Sequence, residues 1–496
     1  PEATLAESAA KQAAYANWLD QSGQDPDALA ADLFTAAFFL AKTSGSRVTV
    51  PTTEHLLRLL GGQPVEEAME EAIVQASQNF RFFHWHFRFG VVMARGGFDC
   101  VLGNPPWEMP QVNEVEFFSA YPEIANSSGS VRKKNIQAAL SMDPDLAMRF
   151  NSYKQFLSAL ANFKKYGNGK SSLKDAKKPN MFSIFTELVY KNLCSEKRAL
   201  TSIGYVVPTS LLTDEGSSKL VRQIVEKKHL RSCFDFSNRK QIFKDVQGNI
   251  NFSLIAIIKG AQPPQPTRMI CQLTDTKELQ RLEAFAYTVS ADQLSLINPD
   301  TLSLPICSSQ TDVALLARIH DQASMIRPEV RQGLFNMTSD SAIFIRTEGH
   351  KPQPGLIQLY ESKNIGIYDS RYSDFKGIHS SKAYGTHPAT TKLLASEKID
   401  PIRELHTRYY ISPQNLEERI SSEWHQDYFL VMRTSMSASQ DSRSVRATLI
   451  PKAGIGNSLA VLYPSINDKR EVLAILAFLN SIIIDFCAKK KVSGAN

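Results

Sequence analysis

At 496 residues the chain is too long for one ordinary hydrophobic core and is expected to divide into two or three domains. Its 43% hydrophobic and 21% charged content excludes a disordered chain, and no apolar run reaches the roughly 18 residues that a membrane-spanning helix requires. The net charge of +6 is concentrated: from Arg132 to Lys178 eleven Lys and Arg stand against three Asp, about +8 in one block, expected to face a polyanion.

Residues 1 to about 90 carry Ala, Leu and Glu at helical spacing. Asp25-Pro26-Asp27 predicts a proline-initiated helix through Phe34, and Thr52-Thr53-Glu54 predicts another through Leu57. The aromatic run Phe80 to Phe89, with His84 and His86, reads as packing between helix and sheet, because His-x-His offers only two metal ligands. Phe98 to Gly103 reads as a central strand, which Pro105-Pro106 must end. Gly167-Asn168-Gly169-Lys170-Ser171-Ser172 lacks phosphate-loop spacing and reads as a flexible basic loop.

A helix is expected over Phe182–Tyr190, a strand over Ala199–Pro208, a helix from about Glu215 to Lys228, and strands over Leu230–Phe236 and Phe252–Ile258. This alternation is that of a doubly wound α/β sheet. Gln262-Pro263-Pro264-Gln265-Pro266 reads as a linker, Gly454-Ile455-Gly456-Asn457 as a turn, and Glu471 to Lys490 as one apolar-rich terminal helix. The six scattered cysteines form no Cys-x-x-Cys pair, so no metal site is expected and a cytoplasmic location is. The N-terminus lacks the order of a signal peptide, and the start at Pro1 and the end in Lys489-Lys490-Lys491-Val492-Ser493-Gly494-Ala495-Asn496 read as cuts through a longer protein.

The most informative stretch is Asp99-Cys100-Val101-Leu102-Gly103 running into Asn104-Pro105-Pro106-Trp107. It places this tetrapeptide at the carboxyl end of a strand, where open α/β sheets hold ligands. An amino group conjugated to a ring or carbonyl is a poor nucleophile. If the Asn104 side-chain oxygen and the Pro105 carbonyl both accept its hydrogens, the nitrogen is held near tetrahedral geometry with its lone pair free. Such acceptors act mainly as positive charge builds on nitrogen, and Trp107 would stack on a base. A target in a duplex must first be swung out of the stack.

These residues resemble motif IV of amino-group S-adenosylmethionine-dependent methyltransferases. Arg95-Gly96-Gly97-Phe98-Asp99-Cys100-Val101-Leu102-Gly103 is similar to the run before that motif in large adenine-specific DNA methyltransferases of the Eco57I and phage-exclusion type. The likeness continues through Asn180-Met181-Phe182-Ser183-Ile184-Phe185, Gly204-Tyr205-Val206-Val207-Pro208 and Asn251-Phe252-Ser253-Leu254. It runs on, more weakly, through Leu359-Tyr360-Glu361-Ser362-Lys363, Tyr368-Asp369-Ser370-Arg371-Tyr372, Asp427 to Arg433, Arg443 to Pro451 and Leu479-Asn480-Ser481 through Val492-Ser493-Gly494.

The resemblance implies an α/β fold: the distal part of a Rossmann-like methyltransferase sheet with an N-terminal helical segment, followed by a mixed α+β target-recognition domain. The expected boundaries are 1–90 helical, 91–260 catalytic, 261–330 connecting and 331–496 target recognition. It implies adenine-N6 DNA methylation in restriction-modification or phage defence, with Asn104, Pro105, Pro106 and Trp107 catalytic and Trp107, Phe252 and Asn180 lining the base pocket. Lys133, Lys134, Lys164, Lys165, Lys170, Lys177 and Lys178 are the expected DNA contacts of the basic block. Arg371, Arg433 and Arg446 are candidates for phosphates or base edges, with an internal ion pair or a plain surface position the alternatives for each.

The implied partners are double-stranded DNA, other restriction or phage-defence subunits and an upstream part of the same polypeptide, with no membrane. The family's glycine-rich S-adenosylmethionine loop should precede motif IV, yet nothing from Pro1 to Phe98 supplies it, Gly61-Gly62 following a helical segment rather than a strand. This piece alone is therefore expected to bind the cofactor poorly and to be inactive. Two alternatives stand: methyl transfer to a protein glutamine side chain, whose NH2 the same tetrapeptide can grip, and a non-catalytic DNA-binding specificity protein. Glu361-Ser362-Lys363 has nuclease-like Glu-x-Lys spacing but no convincing partner Asp.

Overall fold

The computed structural model describes residues 4–491 except 24–25, 43–49, 128, 168–170, 174–179, 195–199, 261–262, 264, 323–327, 347–353, 386–387, 421–423, 435–442 and 465–467. The chain divides into two units. One comprises Pro1–Asp235, Phe252–Met269 and Thr288–Ser303; the other comprises Phe236–Asn251, Ile270–Tyr287 and Leu304–Asn496. Among the described residues no single helix is long and apolar enough to cross a membrane.

The first unit begins with helices α1 (Leu5–Gly23), α2 (Pro26–Phe39), α3 (Thr53–Leu60) and α4 (Glu67–Phe80). Pro26 opens α2, where its missing N–H is not needed, and Thr52 caps α3 with its backbone N–H on His55 Nδ1 at 3.2 Å. Leu33, Ala36, Met69 and Ile73 form their buried core. Downstream, α5 (Gly129–Met142) and α6 (Pro144–Tyr166) carry much of the basic block, α6 starting at Pro144 with Asp143 accepting from the Leu146 N–H at 2.9 Å. Phe39 of α2 meets Phe156 and Phe163 of α6 at ring separations of 6.0 Å, which ties α6 to the N-terminal helices.

The central sheet contains β1 (Cys100–Gly103), β2 (Leu200–Pro208), β3 (Leu230–Ser237), β4 (Asn251–Gly260), β5 (Thr267–Leu273) and β6 (Tyr287–Val289), in the order β1-β2-β4-β3-β5-β6. Helix α7 (Met181–Leu188) precedes β2, and α8 (Ser218–Glu226) joins β2 to β3. β1 runs parallel to β2, but β4 is antiparallel to β2, so the α/β sheet is mixed where a doubly wound alternation implies a mostly parallel one. The β3–β4 connection holds only a short turn over Asn238–Lys240 before Asn251, too little for the helical crossover that parallel neighbours require. A second expectation is corrected at β1: it is an edge strand among the described residues, and Leu102 is 86% exposed. Its Val-Leu pattern is that of a covered strand, but among the described residues only β2 pairs with it.

One glycine is obligatory near the site. Gly97 has φ of +98°, and a Cβ there would lie 2.2 Å from the Leu193 carbonyl oxygen, which accepts from the Phe98 N–H at 2.8 Å. Phe98 is then gripped edge-on by Trp85 and Phe89, at 5.8 and 5.3 Å, so the aromatic run does pack where helix gives way to sheet.

The second unit contains β7 (Glu329–Gln332), β8 (Ile345–Arg346), β9 (Ile357–Tyr360), β10 (Ser373–Asp374), β11 (Thr391–Lys392), β12 (Tyr409–Ile411), β13 (Tyr428–Arg433), β14 (Ala447–Pro451), β15 (Gly454–Ile455) and β16 (Leu459–Tyr463). They form two four-stranded sheets, β14-β13-β16-β7 and β15-β9-β12-β8, and the pair β10-β11. Leu359, Ile411, Phe429, Val431, Ile455 and Val461, none of them exposed, share one core. Gly454-Ile455 is thus a short strand parallel to β9, not the expected turn. The terminal segment is two helices, α9 (Lys469–Leu479) and α10 (Ile482–Lys491), bent by 56°, rather than one. The break falls where the buried Asn480 side chain accepts from the Ala447 N–H at 3.0 Å and donates to the Ala447 carbonyl at 2.9 Å.

Candidate functional site

The parallel register of β1 and β2 pairs Gly103 with Tyr205, and the chain leaves the strand at Asn104 alongside Val206. Pro105 is buried and anchors the turn, while Asn104 and Pro106 are exposed and Trp107 is half-buried. The antiparallel register of β2 and β4 pairs Pro208 with Phe252. A loop and a strand end widely separated in sequence are thereby brought together: the rings of Trp107 and Phe252 lie 6.1 Å apart, tilted by 32°. Trp107 Nε1 donates to Asn104 Oδ1 at 2.9 Å and makes a longer contact to the Val206 carbonyl at 3.4 Å. Asn180, at the start of α7, joins this neighbourhood through the backbone, the Met181 N–H donating to the Glu108 carbonyl at 3.3 Å.

Sequence reasoning missed what lies beneath Phe252. The Thr209 hydroxyl donates to Asp235 Oδ1 at 2.5 Å and meets Ser253 Oγ at 2.9 Å. All three are almost wholly buried, with Asp235 and Ser253 at 0% exposure. They link the ends of β2, β3 and β4, where a carboxylate inside the apolar run Cys233-Phe234-Asp235-Phe236 was the available signal. Burial, reinforced by the Asp235 charge, pushes the Cys233 thiol up to about 12 and keeps it protonated and inert.

The basic candidates divide. Lys133 and Lys134 on α5 and Lys165 on α6 are exposed, while Lys164 is half-buried and its pKa is lowered by that burial. Lys170, Lys177 and Lys178 lie outside the described residues. Ser171 Oγ and the Ser172 N–H donate to Glu187 at 2.5 and 2.6 Å, and Lys191 Nζ does so at 2.7 Å. Burial alone would raise the Glu187 pKa, but these hydrogen bonds outweigh it and leave the value lowered.

Arg371 is a brace: it donates to the carbonyls of Asp400 and Arg403 at 2.9 Å each and to that of Lys398. Three internal acceptors thus engage its guanidinium. Arg433 and Arg446 are half-buried and have partners of their own within the fold. Glu361 forms a two-pronged ion pair with Arg408, both contacts at 2.7 Å, so it is not an open nuclease carboxylate.

Residues 22–145, which include the Asn-Pro-Pro-Trp turn, match the sequence model of the family described as Eco57I restriction-modification methylase. This is a family-level link to restriction-modification methylases over about a quarter of the chain. No curated protein matches the chain. Among solved structures, the methyltransferase subunit of a type I restriction-modification system from Streptococcus thermophilus is 14% identical, with 28% of this chain and 34% of that one covered and a TM-score of 0.22. The Type IIL restriction-modification enzyme MmeI, solved with DNA, is 11% identical over 92% of this chain and 56% of its own, with a TM-score of 0.36. The ATP-dependent Type ISP enzyme LlaBIII, also bound to DNA, is 10% identical over 88% and 30%, with a TM-score of 0.30. The chain thus spans between 30% and 56% of the length of these three proteins.

Proposed function

We propose that this chain carries the amine-holding side of a site-specific adenine-N6 DNA methyltransferase of a restriction-modification or phage-defence system. The observation that supports it most is the convergence of Asn104, Trp107 and Phe252: a carboxamide acceptor and two rings at the mouth of adjacent strands. The Asn104 side-chain oxygen, with the Pro105 carbonyl, would accept both hydrogens of the amine and leave its lone pair to point outward. Trp107 and Phe252 would bracket the flipped base, and the rigid prolines fix the aim. Positive charge builds on the nitrogen during transfer, so these preorganised acceptors favour the transition state over the bound base. The proton is lost after methylation without any general base of shifted pKa.

The methyl donor is proposed to be S-adenosylmethionine. The residues described here do not fit it: no strand precedes β1, and Gly61-Gly62 closes α3 instead of linking a strand to a helix. The edge of β1 that no described strand covers is the place where an upstream cofactor-binding segment of the same polypeptide would add its strand, leaving the Asn104 turn at the seam. Lys133, Lys134 and Lys165 would meet DNA phosphates, and the second unit would serve target recognition, in the cytoplasm with other defence subunits.

The test is product identification. DNA incubated with the natural full-length polypeptide and labelled S-adenosylmethionine is digested to nucleosides and resolved by mass spectrometry. Label in N6-methyladenine supports the reading. Label in N4-methylcytosine changes the base, label in protein glutamine favours that alternative, and DNA binding with no label favours a non-catalytic specificity protein.

A further inference from the structure

The slot between the two rings is closed by its own wall. The Trp107 and Phe252 centroids are 6.1 Å apart and tilted by 32°, whereas a planar base between two rings needs about 7 Å, two carbon contact layers of about 3.5 Å each. At the same time the acceptor reserved for an amine is already in use, because the Trp107 indole N–H donates to Asn104 Oδ1 at 2.9 Å. We propose that this N–H is a resident stand-in for the ligand's amino group. A planar base bearing an exocyclic NH2 then enters by exchanging its own N–H for that of Trp107 on Asn104 Oδ1. The inference rests on the base-pocket reading above and adds a latch to it.

The mobile partner is identified by burial. Phe252 is 3% exposed and belongs to β4, so moving it would disturb the sheet; Trp107 is half-buried on the loop after β1, and Asn104 beside it is exposed. Swinging the indole outward widens the slot and releases Asn104 in one motion. In the resting site an incoming amine replaces one N–H···O bond by another, so that bond contributes little to net affinity. A base that brings no N–H leaves the freed Asn104 oxygen without its partner. The latch therefore favours ligands with a donor at that position.

Trp107→Phe separates the N–H from the ring, because phenylalanine keeps a stacking face and cannot hold Asn104. Equilibrium dialysis of the natural full-length polypeptide with labelled adenosine and with N6,N6-dimethyladenosine reads the effect. The expected result is roughly three- to ten-fold tighter adenosine binding by Trp107→Phe, since one hydrogen bond is no longer contested. The dimethyl nucleoside should show no gain, and Asn104→Ala should abolish the difference. Equal or weaker adenosine binding by Trp107→Phe, with Asn104→Ala still weaker than wild type, overturns the latch and leaves the pocket standing. Equal tightening of both nucleosides assigns the gain to ring size and also overturns it. Absence of saturable adenosine binding in every variant removes the pocket reading, and the latch with it.

Discussion

Two sets of cations, one from each unit, are put to different use. Lys133 and Lys134 on α5 point into solvent, where a positive charge costs the fold little and remains free for an anion. In the second unit Arg371 spends its donors on three carbonyls, Arg403 pairs with Asp374 at 2.6 Å, and Arg408 is clamped by Glu361. The difference follows from side-chain chemistry: guanidinium has five donors in a planar fork that suits several fixed acceptors, whereas an ammonium is a hydrated point charge that favours the surface. Charge counted along a sequence therefore locates the solvent-facing lysines better than it locates the arginines.

The largest effect that would sharpen this contrast is Glu361→Ala. It strands Arg408 in a nearly buried site and should destabilise the second unit by about 3–5 kcal/mol in denaturant unfolding, whereas a loss below about 1 kcal/mol would mark the pair as a surface contact. Arg371→Ala should come next, at about 2 kcal/mol for its lost carbonyl bonds, with the salt dependence of DNA binding unchanged. A shallower salt slope in that variant would return Arg371 to the DNA contacts.

Removing Lys133 and Lys134 together should change stability by less than about 0.5 kcal/mol while flattening the slope of log affinity against log salt by about 1.8. An unchanged slope would detach α5 from the DNA. The smallest effect concerns Glu187, whose pKa is lowered in the folded state. Its contribution to stability is complete above its ordinary value of 4.5 and is lost as pH falls through the lower folded value. Glu187→Gln should narrow the stability gap to wild type as the solution is acidified below that point; a gap that widens there would contradict the assignment.

How much of this was readable in advance depended on whether a residue acts through its neighbours in sequence or across the fold. Pro26 and Thr52 mark helix starts by local chemistry, and the helices begin at or beside them. The strand into Asn104 was equally legible, because Pro105-Pro106 must end it. Its position at an edge was not, since Val101 and Leu102 give the same pattern whether or not a second neighbour is present. The break between α9 and α10 hid inside a continuous apolar pattern, because it depends on Asn480 reaching a backbone more than thirty residues away. The Trp107 to Asn104 bond escaped for a different reason: the sequence places the ring near the acceptor but does not say that the ring would occupy it.

The most direct test is the rate of labelled methyl transfer to DNA by the natural full-length polypeptide carrying Asn104→Ala, with DNA affinity measured on the same preparation. The expected result is a fall of about 100-fold or more in methylation with DNA binding retained, the signature of an acceptor that acts on the reacting nitrogen. Methylation at the wild-type rate would contradict the account.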